Sequence, residues 1–397
     1  MRHSRATVAL VALLAAPTFV FSAADPPAQS SSVIVKQGRF WVETVHGSLE
    51  IPRDGVLRIA SIGPVRLAGS TDPGLRYTLI KKVKTLDESE ARDLLRRATV
   101  RVTKQTDATV IAFARDDAEG LSVEIEVSAP RTLRKVSLET HGGEIKAVDL
   151  DGTVTATTGG GPMKLERIGG AIDARTAGGD IDLGTLSGNV KVATAGGSIR
   201  AVSIRGDGTF ETAGGPIQAG EVGGAIKALT AGGDIRIDRA GAGVSASTAG
   251  GGILIREARG PVKAETNGGS IEIGSAAGVR CETGGGGIRL NDVSGGLNVA
   301  TAVGNIIVRL ARGRAITDST LTTSGGDITV YIPGGAAVTI RAEGDRSGGA
   351  RSIVSEFPGI AVRAEGPVAI AEGSLNGGGP LLRLAGIGGT IYIKKQE

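Results

Sequence analysis

The sequence predicts an all-β chain: a β-solenoid of 18-residue coils, preceded by a small β-rich segment with one short helix. Three observations predict it. The phrase Thr-x-Gly-Gly-x-Ile recurs with its threonines at Thr140, Thr158, Thr176, Thr194, Thr212, Thr230, Thr248, Thr266, Thr283, Thr301 and Thr323, at intervals of 18 seven times running, then 17, 18 and 22. Apolar residues around each threonine alternate with polar ones, the period of a strand with one buried face. Glycine makes up 64 of the 397 residues, about twice the usual ~7%. A period this strict marks units that bury their apolar face only by stacking on one another.

Taken in order, residues 1–24 have the form of a secretory signal. Arg2 and Arg5 precede an apolar run from Ala6 to Phe21, and Ser22-Ala23-Ala24 supplies small residues for cleavage. Pro17 inside the run favours cleavage over retention as a membrane anchor. No cysteine follows the run, so a lipid anchor is not indicated, and no later apolar stretch approaches the ~18 residues of a spanning helix. The expectation is an exported chain, whether periplasmic, cell-surface or extracellular. Residues 25–32 read as a short flexible linker.

Residues 33–135 read as a β-rich capping segment. Candidate strands are Phe40–Val45, Val56–Ile62, Tyr77–Val83, Val100–Lys104, Thr109–Ala114 and Leu121–Val127. Thr85 and Glu88 form a capping box before Ala91, Leu94, Leu95 and Ala98 at helical spacing, which predicts a helix over about Leu86–Arg97. Trp41 is expected in the core. The segment should cover the first coil, because the end of a solenoid is an unpaired edge.

Residues 136–332 are the regular coils. With the repeat threonine as position zero, minus four is Val, Ile or Leu in most coils and minus two is mostly Ala, Val or Leu. Plus five is Ile except at Met163, and plus seven is Leu, Ile, Val or Ala. Each coil therefore carries two short strands. Plus ten is apolar again on the opposite parity (Leu150, Ile168, Leu186), which predicts a bend and a third short side. Plus three is always Gly and plus two is Gly except at Val303. A corner repeated every ~4.8 Å leaves little room for a Cβ, and tight corners favour positive φ. The threonine hydroxyl is placed to fold back onto the corner amides. One coil pairs Gly208 at minus four with Phe210 at minus two, which conserves core volume. Residues 333–397 loosen into irregular coils and a cap ending on Thr390-Ile391-Tyr392-Ile393.

An antiparallel meander with Gly-Gly hairpins competes for the same phrase. It would need a single open sheet well beyond the ~10 strands usual before a sheet curls or splits, and it has no place for the parity change at plus ten. Parallel crossovers are right-handed in ~98% of cases, so the expected hand is right.

Several stretches together resemble a known family. They are the turn after Val127-Ser128-Ala129-Pro130, the tandem Thr-x-Gly-Gly-x-Ile coils, Tyr331-Ile332-Pro333-Gly334, and the closing run from Leu375-Asn376-Gly377-Gly378-Gly379-Pro380 to Gly388-Gly389-Thr390-Ile391. Across most of the mature chain these are similar to the bacterial β-strand-repeat envelope proteins of the putative-adhesin family. The resemblance implies a fold and a compartment; it carries over no functional residue.

Sites for chemistry are sparse. His46 and His141 each precede a glycine and read as surface or corner residues. Cys281 sits on the minus-two file as a small core hydrophobe, and a single cysteine excludes a disulfide framework. Asp180, Asp234 and Asp327 follow Gly-Gly in only three coils, too few oxygens for a calcium ladder. No phosphate-binding loop sequence occurs. Ice binding would need two threonine files side by side, yet minus two and plus two are Ala and Gly. No catalytic, cofactor-binding or metal-ligating residue is therefore assigned, and no cofactor is expected. Polysaccharide enzymes on β-helices need paired carboxylates on long side loops, whereas Asp173, Asp182, Lys191 and Arg200 are scattered and outward.

Cations recur at plus six (Lys146, Lys164, Arg200, Arg236, Arg289) and minus three (Lys191, Lys227, Lys263, Arg280), mixed with acids at minus one. They read as cross-strand pairs that keep the surface soluble, with an anionic-glycan stripe as the binding alternative. Cleavage of the signal leaves 43 basic against 41 acidic residues, and aromatic residues are 3%. Neither favours nucleic acid. The reading is an exported, non-enzymatic solenoid acting as an adhesin-like or structural surface at the bacterial cell envelope, with an unknown surface protein or glycan as partner. A polysaccharide-active enzyme and a self-assembling envelope filament are the alternatives.

Overall fold

The computed structural model describes residues 31–105, 108–114, 120–345 and 352–397, so the signal segment and residues 25–30 of the linker lie outside it. Each regular coil contributes two strands. One ends on the repeat threonine, as in Val190–Thr194, and these build the threonine side; the other opens at the plus-five position, as in Ile199–Ile204, and builds the isoleucine side. Each strand pairs in parallel with its equivalent in the next coil, Thr176 against Thr194 and Ile181 against Ile199. Parallel pairing at this register is the solenoid and excludes the meander.

Stacking places like on like, so the interior is a set of apolar files. Minus four, minus two, plus five, plus seven and plus ten are buried in coil after coil, as Val190, Val192, Ile199, Ala201 and Ile204 are. One core runs from Ile51 to Ile393. Phe210 is fully buried, and a Cβ on Gly208 would stand 2.7 Å from its ring, so the pair does share one side chain's space. The expected third side is not a separate strand. Plus eight and plus nine both turn outward within a strand that runs on to plus ten, with left-handed φ at Asp149 (62°), Arg167 (52°) and Asp292 (45°).

The threonines explain the corner. All eleven are buried. The Gly179 N–H donates to Thr176 Oγ1 (3.2 Å), the fold-back expected from sequence, while the same hydroxyl donates to the Gly161 carbonyl of the preceding coil (3.0 Å). Both bonds recur from Thr158 to Thr301, and Thr323 keeps the one to the Gly304 carbonyl. The two glycines differ in kind. A Cβ at plus three would lie 2.1 Å from the preceding coil's carbonyl, as at Gly215 over Gly197, so stacking itself demands glycine there. At plus two a Cβ meets nothing closer than 3.6 Å at Gly214, and no repeat-corner glycine has positive φ, contrary to the expectation. Val303 occupies this open position with its side chain exposed.

Both ends of the stack break sequence order. At the N-terminal end, β1 (Ser31–Gln37), β2 (Phe40–Glu50), β3 (Val56–Ser61), β4 (Val65–Ser70) and β5 (Gly74–Lys84) precede α1 (Glu88–Arg97). Then come β6 (Thr99–Lys104), β7 (Ala108–Ala114), β8 (Leu121–Pro130) and the first repeat strands, β9 (Lys135–Thr140) and β10 (Ile145–Leu150). β3 and β4 form a coil held in parallel between β7–β8 on one flank and β9–β10 on the other. Ser61 therefore continues the threonine file. Beyond them β5, β2, β1 and β6 are antiparallel, which ends the parallel stack. The C-terminal end repeats the device: Leu381–Gly386 and Ile391–Gln396 slot between the coil of Ser319–Thr323 and Ile328–Pro333 and that of Val338–Asp345 and Ile353–Ser355.

Most strands of the N-terminal segment were legible; β1 and β4 were not, and Ser31 and Ser32 belong to β1 rather than to a linker. The helix starts at Glu88 on Asp87, whose Oδ1 accepts from the Glu90 N–H (2.9 Å), two residues later than the expected Thr85 cap. Its buried Ala91 and Leu95 pack on Trp41 and Val83, and Lys81 reaches both Glu43 (3.0 Å) and the Leu95 carbonyl (3.3 Å), which ties down the helix C-terminus.

Candidate functional site

With the interior used up by stacking, chemistry is left to the outward positions. Asp180, Asp234 and Asp327 answer a backbone need. Each offers Oδ1 to the amide one coil on: Asp180 to Ser198 (2.6 Å), Asp234 to Gly252 (2.8 Å) and Asp327 to Thr390 (2.8 Å). Those bonds hold the Asp180 carboxyl below its ordinary pKa. No group of three or more His, Cys, Asp and Glu is arranged to hold a metal among the described residues.

The residues weighed from sequence are dispersed. His141 is exposed at a corner. His46 is exposed on β2, its Nδ1 3.1 Å from Thr78 Oγ1. Cys281 is buried on the minus-two file, and burial pushes its thiol pKa up, so it is inert. Asp182 pairs with Arg200 (3.1 Å) and Asp173 with Arg175 (3.2 Å) as surface ion pairs. A hollow of about 700 Å³ lies over the N-terminal strands, crossed by His46, Thr78, Glu126, Arg66 and Lys146 in one row. Glu126, the one carboxylate of its lining, pairs with Arg66 (3.5 Å), which also pairs with Glu124 and Glu144.

A second concavity lies on the threonine side, beside the corner opposite the threonines, and has a volume of about 870 Å³. Its floor is the minus-five file, where five consecutive coils carry Ala225, Gly243, Pro261, Gly278 and Gly296. Asp207 and Asp318 close its two ends. Its wall is the minus-three file, with Lys227, Lys263 and Arg280 exposed. That file has no acid over ten stacked positions: Lys191, Thr209, Lys227, Ser245, Lys263, Arg280, Asn298, Thr320, Arg383 and Arg341. At ~4.8 Å per coil this is a cationic rail of about 43 Å. Acids stand beside it at minus one, where Glu211 and Glu265 reach Lys227 (3.6 Å) and Lys263 (2.8 Å). The trough was invisible in sequence because missing side chains make it; the cations of its wall were not.

No helix among the described residues is long and apolar enough to cross a membrane. No family model matches the chain, and no curated protein matches it. Among solved structures it is similar to a putative adhesin from Bacteroides fragilis, at 12% identity over 89% of this chain and 97% of the other, with a TM-score of 0.28. A putative adhesin from Parabacteroides distasonis matches at 12% over 73% and 97%, with a TM-score of 0.31. A putative cell adhesion protein from Clostridium sporogenes matches at 8% over 88% and 99%, with a TM-score of 0.20. Likenesses this distant carry no functional argument.

Proposed function

We propose that the chain is an exported, non-enzymatic β-solenoid that presents an adhesin-like or structural surface at a bacterial cell envelope. The observation that carries this reading is the outward minus-three file, ten stacked positions without an acid. A rigid rod with equivalent weak contacts along its length gains strength by engaging several at once. The signal-like residues 1–24 supply the route out of the cytoplasm.

The test is fractionation of cells expressing the full chain, followed by incubation of the purified mature protein with envelope material. The expected result is recovery outside the cytoplasm, lacking the signal segment, and retention on the envelope. Cytoplasmic recovery, or release of reducing sugar from an envelope polysaccharide, contradicts the reading. End-to-end filaments in electron micrographs would replace attachment with self-assembly.

A further inference from the structure

We propose that the trough on the threonine side binds a linear polyuronate, a polysaccharide bearing carboxylates at regular intervals, which names the partner class of the surface role above and rests on that reading. Three observations converge on this occupant. The first is charge and spacing. Lys227 and Lys263 stand two coils apart with Ser245 between them, about 10 Å along the axis. That distance suits carboxylates on alternate sugar rings. Arg280, one coil beyond, makes no ion pair among the described residues.

The second is the floor. Ala, Gly and Pro at minus five leave an open channel along the rod, into which a chain of sugar rings fits lengthwise. The third is an interrupted hydrogen-bond ladder. Upstream of the trough, minus-five side chains bond the amide one coil on: Asn189 Oδ1 accepts from Asp207 N (3.0 Å), and Asp207 Oδ1 from Ala225 N (2.8 Å). Ala225 has no oxygen to offer Gly243, so the ladder stops at the trough mouth. Ala242 sets a Cβ where the Asp207 carboxylate needs Gly224 one coil earlier, so the ladder does not resume, and no floor residue between Asp207 and Asp318 puts an acid beside Lys227 and Lys263. The lining residues include no aromatic ring, which leaves neither a stacking platform for nucleic-acid bases nor one for neutral sugars.

The test measures binding of the purified full-length mature chain to polygalacturonate by titration calorimetry, with dextran and single-stranded DNA in parallel. The proposal expects saturable binding to polygalacturonate and none to dextran. It expects at least a tenfold loss in Lys227→Gln/Lys263→Gln/Arg280→Gln, and a loss of similar size in Ala225→Asp, which sets a carboxylate on the exposed floor beside Lys227. Lys164→Gln/Arg200→Gln/Arg236→Gln removes equal charge from the isoleucine side and should bind within twofold of the parent. All these side chains are exposed, so melting temperatures should agree and exclude misfolding. Equal losses in both triple variants, no binding to polygalacturonate, or tighter binding to DNA through the same residues overturns the proposal. Retention on envelope material without affinity for polygalacturonate sinks this inference and leaves the surface role standing.

Discussion

The two corners of each coil face the same task, turning the chain between stacked strands, and they meet it in opposite ways. The threonine corner is constant in length and nearly so in chemistry: from Thr158 to Thr301 each buried hydroxyl accepts from its own plus-three amide and donates to the preceding coil's plus-three carbonyl, and Thr323 keeps the carbonyl bond. The opposite corner absorbs every change of length. The 17-residue interval loses its residue there, between Ala276 and Val279, where Gly278 takes φ +91°. The 22-residue interval adds its residues there too, between Leu310 and Ser319, where Ile316 bridges back to Gly295. Buried side-chain bonds fix the first corner; the second is held by backbone bonds such as Gly223 N–H to the Ile204 carbonyl (2.7 Å), with exposed side chains such as Asp207 added in some coils. A binding surface can vary only beside a corner that tolerates change, and the trough lies beside that one.

This contrast is broken or sharpened most strongly by the two corner glycines. Gly215→Ala drives a Cβ to 2.1 Å from the Gly197 carbonyl, and because neither backbone can retreat the expected cost is about 3 kcal/mol or more. Gly214→Ala, one residue earlier, meets nothing within 3.6 Å and should stay within about 0.5 kcal/mol. Chemical denaturation of the two variants decides it; equal effects would remove stacking as the reason for the plus-three glycine.

Next comes the hydroxyl. Thr212→Val keeps the shape but strips partners from the Gly197 carbonyl and the Gly215 amide, at an expected cost of about 1–3 kcal/mol in urea unfolding. Thr212→Ser should recover most of it. At the opposite corner Asp207→Ala frees the Ala225 amide to water and should cost less, under about 1 kcal/mol. A reversed order would mean that the exposed corner, not the buried one, holds the stack.

The smallest effect is acid sensitivity. The Ser198 amide and hydroxyl lower the Asp180 carboxyl pKa in the folded chain. A carboxyl depressed on folding stabilises above its unfolded pKa of about 3.9, and that contribution fades as pH falls through the folded value. Asp180→Asn, compared with the parent in melting scans from pH 6 to below about pH 3, should differ slightly at pH 6 and converge in acid. Divergence on acidification would contradict the assigned bond.

Much of this architecture was legible because the repeat states its own register. Periodicity alone yields the threonine file, the inward positions and the Gly208–Phe210 exchange. The hydroxyl's second bond was not legible, since its acceptor lies 15 residues back and belongs to another coil. Nor were the ends. β3–β4 enters the stack between coils that follow it in sequence, and no period there announces which strand neighbours which. At minus four Ser319 interrupts the apolar file; its hydroxyl accepts from Leu297 N (3.0 Å) and donates to the Thr317 carbonyl (2.7 Å), which anchors the 22-residue interval. Side chains that are present can be read from a pattern. The trough, a row of absent ones, becomes visible only once five coils are stacked.

The central claim, that residues one period apart stand side by side, is tested most directly by oxidative cross-linking of paired cysteines on the isoleucine side. Gln218 and Arg236 are partners in adjacent coils, and Leu254 partners Arg236 one coil further on. Neighbouring Cα atoms in parallel strands, ~4.8 Å apart, fall within disulfide range, whereas a two-coil separation of about 10 Å does not. The account predicts rapid disulfide formation in Gln218→Cys/Arg236→Cys and none in Gln218→Cys/Leu254→Cys. Cross-linking in the second pair, or its failure in the first with the fold intact, would contradict the stack.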